Sequence, residues 1–152
     1  MLALRLYGKN DIRLEEVPVP EIGDGELLLK IDAAAICGTD VRMWKNGKEG
    51  VSEKHPLILG HEFSGEIVKV GKGVPEVYRL GVKVAAQPNV GCGICDMCVS
   101  GRPHLCKSYR AFGINMDGAM AEYMRVPADV VNKGNLYILP EGVTPAEAAV
   151  VE

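Results

Sequence analysis

Four of the five cysteines in these 152 residues crowd into one short run, Cys92, Cys95, Cys98 and Cys106, spaced C-x2-C-x2-C-x7-C. Four thiolates this near one another can close a tetrahedral sphere around a soft metal and leave no position for substrate, which is the donor set of a structural zinc site. An iron–sulfur cluster is the alternative. It would more often place the fourth cysteine three residues on, followed by Pro, or far away, and the seven-residue gap here weighs against it. Plain reduced thiols are the third reading. Asn89, Gly91, Gly93 and Gly101 permit the tight turns that a chelating loop needs. A closed site predicts no catalysis; its contribution is to folding, on the order of 10 kcal/mol by analogy with zinc peptides.

The remaining thiol is Cys37, which opens the tetrad Cys37-Gly38-Thr39-Asp40. Most free cysteines are buried and inert. Downstream, however, stands Gly60-His61-Glu62. A thiolate, an imidazole and a carboxylate are the ligand types of an open catalytic zinc site, in which three protein groups leave room for water or substrate. Neighbours in an extended chain point to opposite sides, so His61 and Glu62 can share a metal only if the backbone bends there.

Short strands must position these groups. Gly (18) and Pro (9) recur along the whole chain and punctuate it into strands and turns. Strands are expected over Leu2–Tyr7 and Ile12–Val17 with a turn at Asn10-Asp11, over Glu26–Ile36, Phe63–Val70, Val82–Ala86, Gly118–Val126 and Leu136–Leu139. Gly38–Gly50 reads as a loop with a short helical turn near Val41–Lys45. Residues 89–109 form a strand-poor lobe with little apolar content, a length of loop that needs its own staple. Thr144-Pro145-Ala-Glu147 predicts a helix start, with Thr144 as N-cap, Pro145 at N1 and Glu147 completing a capping box. The domain reading is therefore 1–143 for the metal-binding unit and 144–152 for the beginning of a helix that leads onward.

The bulk properties narrow the partners. A 47% hydrophobic content suits a buried core, and a net charge of −3 weighs against a nucleic-acid or anionic-membrane partner. No apolar run is long enough to span a bilayer, and no basic-then-apolar leader opens the chain. A cytoplasmic location is expected, where clustered cysteines read as metal ligands rather than disulfides.

Gly60-His-Glu-Phe-Ser-Gly65, then Gly71-Lys-Gly-Val74, resembles the zinc signature of the medium-chain alcohol dehydrogenase superfamily. Cys37-Gly-Thr-Asp40, the four-cysteine lobe, and Asp117-Gly-Ala-Met-Ala-Glu-Tyr123 with Val126-Pro127-Ala128 follow that family's order. The flavour is that of the sorbitol, threonine and butanediol dehydrogenase branch, and the resemblance covers essentially the whole chain. It implies a mainly β fold with short helices, a GroES-like, partly open β-barrel carrying a zinc-stapled lobe. It further implies that Cys37 and His61 ligate a catalytic zinc, with Glu62 either a third ligand or just behind one. Asp40 would hold the far nitrogen of His61, against the plain reading of a helix cap, and Thr39 would relay the substrate's proton, against a plain turn threonine. Glu152 would be a further carboxylate facing the zinc. Arg42, Met43, Trp44, Met120 and Tyr123 are candidates for the walls of the cleft; His55 and His104 have no partner pattern and are expected on the surface.

The activity implied is oxidation of an alcohol or polyol, or reduction of the ketone, by hydride transfer with NAD or NADP. No Gly-x-Gly-x-x-Gly follows a strand before a helix in these residues, so the α/β dinucleotide-binding domain is expected beyond Glu152 and the 152 residues are expected to be inactive alone. An oligomer is implied for the longer enzyme and a monomer for this portion. The competing class is a non-enzymatic, zinc-stabilised module kept for folding or assembly; metal stoichiometry discriminates the two.

Overall fold

Strands form where the sequence alternates or runs apolar between turn residues, and the computed structural model describes them over residues 1–151. In chain order the elements are β1 (Leu2–Gly8), β2 (Asp11–Glu16), β3 (Leu27–Ala35), α1 (Gly38–Asn46), β4 (Leu57–Ile58), β5 (Glu62–Val70), β6 (Lys83–Ala86), β7 (Asn89–Val90), α2 (Asp96–Val99), a 3-10 turn (Pro103–Leu105), β8 (Arg110–Ala111), β9 (Tyr123–Val126), α3 (Ala128–Asn132), β10 (Leu136–Ile138) and α4 (Pro145–Ala149). The mainly β expectation is met. The sheets stay open, in the orders β2-β1-β4, β10-β6-β5-β3-β9 and β7-β8, and no closed barrel forms among the described residues.

The β1–β2 hairpin turns at Asn10, a non-glycine residue at φ 59°, a conformation that asparagine tolerates better than most side chains. The large sheet is built on the antiparallel pair β3–β5, which runs in register from Leu27↔Val70 to Ala35↔Glu62 with two irregularities. Leu27, Leu29, Phe63, Ile67, Val84, Met124 and Val126 from its strands form the main core. Phe112, just beyond β8, inserts into that core and meets Phe63 edge to face with ring centroids 5.6 Å apart, an arrangement worth about 0.5–1.5 kcal/mol beyond area burial. A smaller cluster of Leu6, Met43, Leu57 and Leu59 packs α1 against β1 and β4.

Two expectations are corrected. The helix after Cys37 is nine residues long rather than a turn at Val41–Lys45. Cys37 is its N-cap residue, Asp40 at the third position accepts the Cys37 N–H, its last turn carries Lys45, and Gly47 at φ 82° closes it by donating to the Met43 carbonyl at 2.8 Å. The segment Gly118–Val126 is a regular strand only over Tyr123–Val126. Before that the chain changes partners: Ala119 and Met120 donate to Gly60 and Leu59, Glu122 donates to Leu2, and Ile31 donates to Glu122. The partner switch ties the small sheet to the large one and prevents a single ladder. β4 and α3 had no clear signal, being two and five residues long.

The expected helix start at Thr144 is present, with Thr144 accepting from the Glu147 N–H and Glu147 reaching back to the Thr144 N–H at 2.9 Å. The α4 turn is fastened to the sheet by Ser64, which is fully buried and donates to the Pro145 carbonyl at 2.8 Å. Ser64→Ala is expected to lower stability by about 1 kcal/mol, the usual net value of such a bond, measured as a shifted urea midpoint. An unshifted midpoint would show that α4 is held by apolar contact alone. No helix among the described residues is long and apolar enough to cross a membrane.

Candidate metal centres and the adjoining cleft

The first centre assembles where β3 ends beside the start of β5. Because Ala35 pairs with Glu62, the chain leaving β3 delivers Cys37 to the place where the chain entering β5 brings His61. One ligand atom from each of Cys37, His61 and Glu62 lies within 4.8 Å of the others, a spacing from which three donors can converge on one ion. Gly60, at φ 95°, turns the chain just before His61 enters this spot. A Cβ there would lie 2.7 Å from Met120 Cγ and 2.8 Å from Met120 N. Gly60→Ala is therefore expected to cost on the order of 3 kcal/mol through strain and overlap. It should also displace His61, so that a denaturant melt and metal titration fall together; a variant with the parent's midpoint would refute this.

Asp40 is the third residue of α1. Its Oδ2 accepts the Cys37 N–H at 2.9 Å, and its Oδ1 faces His61 Nδ1 at 3.6 Å. Both side chains belong to residues 4% exposed. Oδ1 and Nδ1 are the buried side-chain polar atoms left without a hydrogen-bond partner among the described residues. A small closure would pair them, which would keep the proton on Nδ1 and leave Nε2 with a lone pair for a metal. The N-cap position belongs to Cys37 rather than Asp40; Asp40, at the third helical position, accepts the Cys37 N–H with one oxygen and faces His61 with the other. The donor set and the orphaned pair both fit a zinc ion.

Thr39, half-buried on the first turn of α1, accepts from Arg42 Nη2 at 3.1 Å, so its hydroxyl hydrogen is left to donate elsewhere. Glu152 lies outside the described residues. Of the residues expected to wall the cleft, Met43 is buried in the small cluster, Met120 packs against Gly60, and Tyr123 lines a separate hollow of about 430 Å³.

The second centre is the cysteine lobe, whose base is the β7–β8 pair, Asn89↔Ala111 and Val90↔Arg110. The expected lobe of 89–109 thus closes two residues later. Cys95 caps α2 and Cys98 lies within it. One sulfur from each of Cys92, Cys95, Cys98 and Cys106 lies within 4.8 Å of the others. Cys92 donates its N–H to Cys106 Sγ at 3.4 Å. Backbone N–H groups of Ile94 and Cys95 hold the Cys92 thiol down at about 6. At Cys98 a backbone N–H of Gly93 acts downward, but desolvation and the thiols of Cys95, Cys106 and Cys92 outweigh it and push the group up to about 11. Four sulfurs at this spacing resist shared ionisation, and a divalent cation among them relieves it.

The lobe is tied to the body at its root. Asn135, buried, donates through Nδ2 to the Gln87 and Asn89 carbonyls at 3.3 and 3.1 Å, and Lys133 Nζ donates to the Gly91 carbonyl at 2.8 Å. Lys133 also pairs with Asp129, which pairs with Arg110. Beside this root opens a cleft of about 720 Å³. His61 and Glu62 stand in it, Gln87, Asn89 and His104 add polar groups, and the β10 side is largely apolar. His104 is exposed, as expected, but it faces this cleft. Only the proximity of the lobe to the first centre reveals that, and no spacing in the sequence encodes it.

Comparison with known proteins agrees with this arrangement. The profile of the alcohol dehydrogenase GroES-like domain matches residues 23–136. The L-threonine 3-dehydrogenase of Chelativorans sp. (strain BNC1) is 41% identical over 91% of this chain and 39% of its own length. The sorbitol dehydrogenase of Bacillus subtilis (strain 168) is 37% identical over 100% of this chain and 42% of its own. A Sinorhizobium meliloti 1021 protein assigned as a zinc-binding dehydrogenase, whose crystal structure is bound to NADP, superposes with a TM-score of 0.82 at 36% identity, covering 97% of this chain and 41% of that one. The chain thus spans about two fifths of the length of these relatives. With its open β sheets, cysteine lobe and Cys-His-Glu group, the chain belongs to the GroES-like domain family of the zinc-dependent medium-chain alcohol dehydrogenases.

Proposed function

We propose that these residues form the zinc-bearing catalytic portion of an NAD(P)-linked oxidoreductase that interconverts an alcohol or polyol with its ketone. The observation that carries the reading is the convergence of Cys37, His61 and Glu62 on one point, backed by Asp40 and opening on a cleft. Cys37, His61 and Glu62 would hold a catalytic zinc, and Cys92, Cys95, Cys98 and Cys106 a structural one. When bound, the catalytic zinc would supply Lewis acidity toward the substrate oxygen, and an NAD(P) nicotinamide would supply the hydride acceptor. Closed onto His61 Nδ1, Asp40 would hold the ring in the tautomer that leaves Nε2 unprotonated. Thr39 Oγ1 would accept the substrate's proton while giving up its own hydroxyl proton to water, since Arg42 beside it stays charged and cannot take one. The apolar wall of the cleft keeps water from competing for the reacting carbon. Five thiols, four of them in one ligand group, suit a reducing compartment such as the cytoplasm.

Cobalt(II) loading tests this reading. Two equivalents per chain are expected, and Cys37→Ser should leave one, removing the band that responds to added alcohol while the all-sulfur band persists. A parent chain that takes a single cobalt, confined to the cysteine lobe, would sink the reading.

A further inference from the structure

We infer that His104 is a specificity-determining residue, one that hydrogen-bonds a second, uncharged hydroxyl of the substrate and so tunes the cleft to neutral polyols. The inference rests on the proposed catalytic centre at Cys37, His61 and Glu62.

His104 sits on the 3-10 turn between two cysteines of the lobe, yet lines the same cleft as His61 and Glu62. Its position is firmly set. The turn is closed by the Leu105 and Cys106 N–H groups donating to the Arg102 and Pro103 carbonyls at 3.0 and 3.1 Å, and Cys106 is buried. Pro103 rests on Gly91, where an added Cβ would come within 2.9 Å of Pro103 Cβ. Among the described residues none of the lobe's side-chain hydrogen bonds uses the His104 ring. The imidazole therefore offers a donor and an acceptor to whatever enters.

In the same cleft, Gln87 is clamped in both directions by Asn135, through the Gln87 N–H to the Asn135 carbonyl at 2.8 Å and the Asn135 side chain to the Gln87 carbonyl. Gln87, Asn89 and His104 are thus polar groups held on rigid supports beside an otherwise apolar wall, the arrangement that orients a ligand by a few hydrogen bonds. Among the described residues the cleft is lined by no Lys or Arg. A substrate bearing a carboxylate or phosphate would find no fixed counter-charge from these residues, whereas a neutral chain of hydroxyls would find both donors and acceptors. A site built to pair a hydroxyl discriminates against an analogue that lacks it.

The test uses the cobalt-loaded chain, with sorbitol, propan-2-ol and L-threonine as probes and the absorption of the Cys37 centre as the readout of binding. His104→Ala is expected to raise the sorbitol Kd roughly ten-fold and to leave the propan-2-ol Kd within about two-fold. His104→Gln, which keeps an N–H donor, should recover most of the loss. The all-sulfur cobalt band shows whether either variant has disturbed the lobe. In the zinc-loaded parent, the His104 ring resonance should shift with sorbitol and stay in place with propan-2-ol. An unchanged sorbitol Kd in both variants, a ring resonance that sorbitol leaves in place, or tighter binding of L-threonine than of sorbitol would overturn the inference while the catalytic centre stands. Failure of cobalt to occupy the Cys37 centre at all would instead remove the proposed function, and this inference with it.

Discussion

Cys106→Ser is expected to cost the chain one equivalent of metal and the fold of its lobe, and to leave the large sheet intact. Cys106 is the buried cysteine of the four, and it closes the loop by accepting the Cys92 N–H. The lobe has almost nothing else to fold around. Ile94, Val99 and Leu105 point to solvent at 87%, 71% and 52% exposure, and the regular structure is two strands of two residues, one helix of four and one 3-10 turn. A tetrathiolate zinc, worth on the order of 10 kcal/mol in small peptides, is therefore the main term that would hold the lobe together. The body is insulated, because its core draws only on Val90 and Phe112 at the lobe's two ends. Limited proteolysis should cut between Cys92 and Cys106 in the variant, and amide exchange in β3 and β5 should stay slow. Protection of the lobe amides in the serine variant, or after chelation, would show that the lobe folds without its metal.

The second large effect is expected at Asp40. Asp40→Asn should weaken metal binding at the Cys37 centre by roughly 10- to 100-fold and leave the lobe's affinity unchanged. The substitution is nearly isosteric, and its effect works through a proton. The amide oxygen would keep the bond to the Cys37 N–H, so α1 stays capped. The amide N–H₂ then faces His61 Nδ1, where the carboxylate oxygen stood. It donates where Asp40 can only accept, which drives the ring proton to Nε2, the nitrogen that a metal needs. Asp40→Ala should weaken binding as well, but with an added stability loss of about 1 kcal/mol from the missing cap. Competition titration of cobalt separates the two centres by their spectra. Equal affinity in the parent and the Asn variant would show that Asp40 only caps the helix.

The candidate ligands of the cysteine lobe were legible because their spacing is itself the signal. C-x2-C-x2-C-x7-C needs no tertiary context, and Cys37 stood out once four thiols had been assigned. The Thr144 capping box was legible for the same reason, since all its atoms lie within one turn. What escaped was contact between distant segments. Asp40 extended α1 by reaching back three residues, a local event hidden by the weak helix propensity of Gly38-Thr39-Asp40. Met43 and Tyr123 are candidates for the cleft wall for which plain packing is the simpler reading, and it holds for Met43, which completes a core cluster, while Tyr123 lines the other hollow. His104 has the opposite history, since its neighbours in sequence belong to the lobe and its neighbours in space belong to the cleft.

The pairing of Ala35 with Glu62 carries one more consequence. A β3–β5 ladder slipped by one residue would still cover apolar surface, but it would turn alternate side chains to the other face. Cys37 and Glu62 would then no longer meet. Burial of one face already disfavours such slippage, and the two irregularities in this ladder help to pin its register. A metal ion would discriminate further, because it would bind the one alignment that gathers its ligands and ignore the rest. The Cys37 centre would therefore also act as a check on the sheet that builds it.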